Sequence, residues 1–186
     1  MLNELDKTLK KLLAREVTGL EEEAIHFDVP NDQFFPTLPA INLFLYDVRE
    51  NQELRSKEWL LERQSNGQIM KTPAPVRVDC SYLITAWAGD VDNEHSLLGD
   101  VMVALLRHPT LPAAVLQGRL QQQDLPPPTT ALRPGRLQSL AEFWQALGGK
   151  PKAALNFMVT IAVQPHQAVA AGPAIVEAHI PGLRGQ

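Results

Sequence analysis

The sequence predicts an α/β or α+β domain, and one stretch carries most of that reading. Between Pro73 and Pro109 it runs PAPVRVDCSYLITAWAGDVDNEHSLLGDVMVALLRHP, and its side-chain period changes partway. Val76, Val78, Cys80, Tyr82, Ile84 and Ala86 alternate with Arg77, Asp79, Ser81, Leu83, Thr85 and Trp87, the period of a strand with one more apolar face. Leu97, Val101 and Leu105 then recur every four residues beside Leu98, Met102 and Leu106, which makes a helix with a wide apolar stripe. A long strand feeding a long helix is the nucleus of such a domain. Two further alternating segments, residues 40–49 and 154–163, add long strands for it to pack with.

The elements follow in order. Residues 3–15 read as a helix with Leu2, Leu5, Leu9, Leu12 and Leu13 as its stripe, Asn3 as its cap and Lys10, Lys11 and Arg15 toward its negative end. Such a stripe is either core or a docking face for a neighbour. Residues 24–29 read as a short strand, followed by a proline-punctuated loop whose Phe34-Phe35 pair is either a lid on the core or an exposed sticky patch. Residues 40–49 are apolar on both faces and predict a central strand. In residues 51–72, Ser65-Asn66-Gly67 is a hairpin turn signal, because Asn-Gly supplies the positive φ of tight turns. Residues 58–64 and 68–72 are then hairpin arms, or a mobile loop with a hairpin tip. Asp90, Asp92 and Asn93 can start the main helix, and His108-Pro109 stops it. Residues 109–125 predict a short helical turn and an extended Gly118-Arg119-Leu120 segment, and Pro126 to Pro128 a stiff connector. Residues 136–147 read as a helix with Leu137, Leu140, Phe143, Trp144 and Leu147 inward, capping-box spacing at Ser139 and Glu142, and an exit at Gly148-Gly149. The domain is expected to span residues 1–164. Residues 165–186, rich in Ala, Pro and Gly, form a tail that either adds an edge strand at Ile175-Val176 and His179-Ile180 or orders only against a partner.

Composition bounds the function. A chain of 186 residues suits one domain with a self-sufficient core. No apolar run reaches membrane-spanning length, and the first residues, MLNELDKTLKKLL, have no secretory pattern. The single cysteine, Cys80, cannot form an internal disulfide and is expected to be buried and inert in a reducing compartment. The net charge of −4 is uneven: residues 1–106 carry 10 Lys+Arg against 18 Asp+Glu, and residues 107–186 carry 7 against 3. This is either surface decoration or a subunit with opposite charge on two faces, which suits head-to-tail contacts.

The chemical motifs are sparse. His26, His95, His108, His166 and His179 are scattered without metal-ligand spacing. Asp92, Glu94 and His95 cluster before the main helix, where capping explains them more simply than a metal does. A Cys80–His95 nucleophile pair would need an exposed thiol. There is no phosphate loop, nucleophile elbow or dinucleotide fingerprint. No basic run with interleaved aromatics suggests nucleic acid. Trp59, Trp87 and Trp144 read as packing residues. The expectation is a non-enzymatic chain without catalytic, metal or cofactor residues.

Several segments together resemble one family. PAPVRVDCSYLITAWAGDVDNEHSLLGDVMVALLRHPTLPAAVL follows the pattern Pro-x-Arg-x-Asp-x-x-Tyr-Leu-x-Thr-Ala-Trp, Glu-His-x-Leu-Leu-Gly, His-Pro-x-Leu-Pro. RLQSLAEFWQALGGKPKAALNFMVTIAV and PAINLFLYDVREN match in the same order, so most of residues 5–164 is covered. The chain resembles the N-terminal domain of the cap proteins of phage-tail-like contractile injection systems. The resemblance implies a mixed, mainly antiparallel β-sheet packed with helices, as in phage tail terminators. It implies a structural, non-enzymatic protein that ends the inner tube and contractile sheath as a homo-oligomeric, sixfold ring. Its partners would be tube and sheath subunits, with no nucleic acid and no direct membrane insertion. It would be assembled in the cytoplasm into a particle that is either released or membrane-associated. Some members carry a large C-terminal extension where this chain has a short tail.

The family supplies no catalytic residues to transfer. Arg55, Lys57, Trp59 and Arg63, in the polar 51–72 segment, are the candidate contacts to a neighbour or the last sheath layer, against the alternative of a solvated hairpin. Two other functions stay open: a small hydrolase or ligand-binding domain using the Asp92–His95 corner, and a tail or baseplate adaptor of the same particle.

Overall fold

The computed structural model describes residues 1–132 and 140–171. Two sheets are present among them. The larger has the order β1 (Ile25–His26), β2 (Ala40–Glu50), β5 (Val76–Trp87), β7 (Ala154–Val163), β6 (Thr129–Ala131). The smaller joins β3 (Trp59–Arg63), β4 (Ile69–Pro73) and β8 (Val169–Ala170). β1 runs parallel to β2 and the other pairings are antiparallel. The helices are α1 (Leu2–Glu16), α2 (Val91–Leu106) and α3 (Leu140–Leu147). This is the mixed, mainly antiparallel α+β architecture expected. Among the described residues, no helix is long and apolar enough to cross a membrane.

β5 is the central strand, paired along its length with β2 on one side and β7 on the other. β2 was expected to be central, but β1 covers only two residues of its outer edge. Buried Asn42 finishes that short pairing: its amide donates to the Asp28 carbonyl at 2.9 Å and its oxygen accepts from the Asp28 N–H at 3.0 Å. A bulge between Leu45 and Asp47 shifts the β2 register.

The core lies between this sheet and α1 and α2. Register places Ile41, Leu43, Cys80, Tyr82, Ile84, Ala86, Phe157, Val159 and Ile161 on one face, and all are buried. α1 meets them with Leu5, Leu9, Leu12 and Leu13, and α2 with Leu98, Val101, Ala104 and Leu105. Leu106, expected in that stripe, is exposed, as is Val103. Asp90 caps α2 by accepting from the Asn93 N–H at 2.9 Å. Asn3 does not cap α1: Met1 stands at the cap, and Asn3 Oδ1 accepts from the terminal ammonium at 3.2 Å.

The other face of β5 is also buried, contrary to a one-sided strand. Asp79, Ser81, Leu83 and Thr85 are all covered. α3 accounts for part of this: Phe143 packs edge-on to Tyr46 at 5.9 Å and lies 6.3 Å from Phe44, while Trp144 is 1% exposed. The predicted start of this helix before Leu140, with its Ser139 cap, lies outside the described residues, as do Ile175-Val176 and His179-Ile180. Gly118-Arg119-Leu120, expected to be extended, sits in a 3-10 turn, Gly118–Gln122, after an earlier one at Ala113–Val115. The Thr8 hydroxyl pins this segment to α1, accepting from the Gln117 N–H at 3.0 Å.

Candidate assembly surfaces

The register fixes which features share an end of the large sheet. Ala40 pairs with Trp87 and Ala154 with Thr85 at one end; Glu50 pairs with Val78 and Val163 with Val76 at the other. The hairpin β3–β4 leaves the second end. The Phe34-Phe35 loop, the first turn of α2 and the segment before β7 converge at the first.

The hairpin is anchored at its root and exposed along β3. Asp79, 2% exposed, accepts from the Thr160 hydroxyl at 2.7 Å and from the Asn51 amide at 3.1 and 3.2 Å. The Asn51 N–H donates to the Arg77 carbonyl at 2.8 Å, and Asn51 Oδ1 accepts from the Leu54 N–H at 3.1 Å. The turn forms as the Asn-Gly signal predicts: Gln64 N–H donates to Gln68 O at 2.8 Å and Gly67 takes φ +82°. The arms match the expectation, but the hairpin also gains a third strand. β8, from the segment read as a tail, pairs with β4, and Ala171 N–H donates to Ile69 O at 2.9 Å.

The bonds at Gln64–Gln68 and Glu58–Ala74 set the phase of the ladder. Leu60 and Glu62 therefore turn their peptide groups toward β4, while Trp59, Leu61 and Arg63 turn theirs to the free edge. Every residue of β3 is exposed. Such an edge is a template for another strand unless something blunts it. By the alternation of the strands, Trp59, Leu61, Arg63 and Lys71 share one face and Leu60 and Glu62 the other. The Lys71 ammonium lies 5.0 Å from the Trp59 ring centre, as that arrangement requires.

The candidate contact residues thus divide. Trp59 and Arg63 come together on one face and gain Leu61 and Lys71, which the sequence reading did not single out. Their signal was the cross-strand pairing of Leu61 with Lys71, available once the turn is placed. Lys57 is exposed just before β3. Arg55 folds back onto Glu50, with Nε 2.6 Å from Oε1 and a second bond from its Nη2. This pairing holds the Glu50 carboxyl below its ordinary value.

At the opposite end lies a cleft of about 760 Å³ lined by Phe34, Phe35, Leu38, Trp87, Val91 and Pro151, among others. The Phe pair splits its two expected roles. Phe34 folds inward, edge-on to Trp87 at 5.0 Å and to His26 at 5.6 Å, whereas Phe35 is 86% exposed. Gly149 lets the wall close: a Cβ there would stand 2.5 Å from the Pro30 carbonyl oxygen.

The Asp92–His95 corner borders this cleft, and its charges are placed for structure. The Asn93 N–H holds the Asp90 carboxyl below its ordinary value. Glu94 takes Lys152 at 2.8 Å, and the same ammonium donates to the Ala86 carbonyl at 2.7 Å and lies 3.8 Å from the Trp87 ring centre. Asp92 and His95 are exposed. Among the described residues, no group of three or more His, Cys, Asp or Glu side chains could hold a metal ion. Cys80 lies in the core, where burial pushes its thiol up to about 12 and leaves no thiolate near neutral pH.

An edge strand with apolar side chains at one end of a sheet and an apolar cleft at the other are features of an assembly subunit. Residues 4–177 match the Pvc16 N-terminal domain, and the chain belongs to that family. No curated protein sequence matches it. Two solved structures are similar. The PVC sheath/tube terminator of an extracellular contractile injection system, in its extended state, is 26% identical with a TM-score of 0.73; the match covers 100% of this chain and 64% of that one. The tube-terminating cap of the anti-feeding prophage is 28% identical with a TM-score of 0.71, over 96% of this chain and 60% of that one. The chain therefore spans less than two thirds of the length of either.

Proposed function

We propose that this chain is a structural cap: a ring of copies, hexameric in the simplest case, that ends the inner tube and contractile sheath of a phage-tail-like contractile injection system and sets their final length. The observation that carries this reading is the fold shared with two tube terminators over 100% and 96% of the chain. A growing tube and sheath present unsatisfied edges to the next subunit. A terminator must bind those edges and offer none of the same kind. Trp59, Arg63 and Lys57, with Leu61 and Lys71, supply the apolar and cationic contact to a neighbour or the last sheath layer; Arg55 supports it by holding the hairpin root to Glu50. On this reading the chain is assembled in the cytoplasm and becomes part of a particle that is released or membrane-associated.

Deletion of the gene tests the function. Over-long or unstable tubes and sheaths in the deletion strain are the expected result; particles of normal length and yield would overturn it. Joint reversal of Lys57 and Arg63 to glutamate, which leaves the Arg55–Glu50 pair in place, should leave the circular-dichroism spectrum intact and reduce capped particles. Unchanged particle length and yield would remove the hairpin from the contact.

A further inference from the structure

We infer that the hairpin of one copy docks into the Phe35–Val91 cleft of the next, so that the two surfaces are the two halves of one head-to-tail contact. This rests on the ring reading above and names its interface. Each half is incomplete alone. The hairpin face carries Trp59, 52% exposed even with the Lys71 ammonium over its ring, and Leu61, 68% exposed. The cleft wall carries Phe35 and Val91, the latter 60% exposed. Its volume of about 760 Å³ lies in the range that encloses a few side chains.

The charges match in sign. The Trp59–Leu61 face adds Arg63 and Lys71, while Glu62 projects from the opposite face. At the cleft, Asp32 lines the mouth, and Asp90 and Asp92 flank Val91 at the first turn of α2. Lys152 is already neutralised by Glu94, which leaves Lys150 as the opposing charge among the lining residues.

Topology excludes closure within one chain. The two surfaces sit at opposite ends of β5, a 12-residue strand that spans roughly 40 Å. A patch and its complement on opposite ends of one subunit make a heterologous contact, which generates a ring when the rotation closes.

The test uses assembled particles carrying Leu61→Cys and Val91→Cys, together and singly, treated with a short bismaleimide. Cys80 is buried and stays unreactive. The expected result is a ladder of covalent multimers of this chain from the double variant and none from either single variant. A terminal ring that gives no ladder overturns the docking but leaves the cap reading standing. Cross-links from Leu61→Cys to a tube or sheath subunit overturn it in favour of an edge-strand contact with that partner. Absence of the chain from particles overturns both. A charge exchange guards against misleading cysteine geometry: Arg63→Glu with Lys71→Glu should reduce ring occupancy several-fold, and adding Asp32→Lys and Asp92→Lys to the same chain should restore it. No restoration counts against the pairing.

Discussion

Asp79→Ala removes the acceptor on which the hairpin root is built. The carboxylate is buried and takes hydrogen bonds from the Thr160 hydroxyl at 2.7 Å and the Asn51 amide at 3.1 and 3.2 Å. Bonds to a charged group contribute about 1.5–3 kcal/mol each, and the variant leaves both donors covered without an acceptor. Losing two such bonds, partly offset by no longer burying a charge, costs about 3 kcal/mol. For a chain of this size that is a fall in Tm of about 6–12 °C. Asp79→Asn keeps one acceptor for Thr160 but turns an amide toward Asn51, and should cost about 1 kcal/mol. Thermal and urea unfolding read the two variants. Hydrogen exchange of the Asn51 backbone N–H, which donates to Arg77 O at 2.8 Å, should accelerate beyond the loss in global stability, because the root opens locally. A Tm within about 2 °C of the parent for Asp79→Ala, or equal losses for Ala and Asn, would refute the reasoning.

Other positions give sharp expectations. Burial raises the Asp6 carboxyl above its ordinary 3.8 despite the bond it accepts from the Tyr82 hydroxyl at 2.8 Å. The folded state therefore binds this proton more tightly than the unfolded chain, and the associated stability is full below pH 3.8 and lost as pH rises through the folded value. Asp6→Asn keeps an acceptor for Tyr82 and should flatten that part of the pH–stability curve; a curve parallel to the parent would contradict this. Trp144→Ala empties the site beneath α3 and should cost about 3–5 kcal/mol in urea unfolding. Gly149→Ala drives a methyl group against the Pro30 carbonyl and the Trp144 ring and should cost about 1–3 kcal/mol in urea unfolding.

Local chemistry made much of this fold legible. β7 runs over the expected 154–163 because its alternation is uninterrupted and its flanks are polar or proline-marked. The Asn66-Gly67 turn located the hairpin, and Asp90 located the start of α2. What escaped was decided by distant contacts. β6 is too short for any period to show and exists because β7 offers it an edge, while the strand expected over 24–29 is cut to Ile25–His26, the only two residues that pair with β2. Leu83 is buried on the second face of the sheet, where α3 returns with Phe143 against Phe44 and Tyr46, which no pattern within β5 could reveal. Val169 is exposed and lies in an alanine-rich segment, so its pairing with Lys71 depends on where the hairpin sits. Of the proposed contact surface, Trp59 and Arg63 stood out by residue type, whereas Leu61 and Lys71 join them only through the antiparallel register. The cleft was read as a catalytic corner or a cap because its apolar wall comes from segments far apart in sequence.

The central claim is that this chain ends the tube and sheath. Cryo-electron microscopy of intact particles bearing a small tag on the chain tests it most directly. The account predicts a single ring of density at the end remote from the baseplate, in contact with the last tube and sheath layers and absent elsewhere. Tag density at the baseplate, along the sheath or on no particle would contradict it.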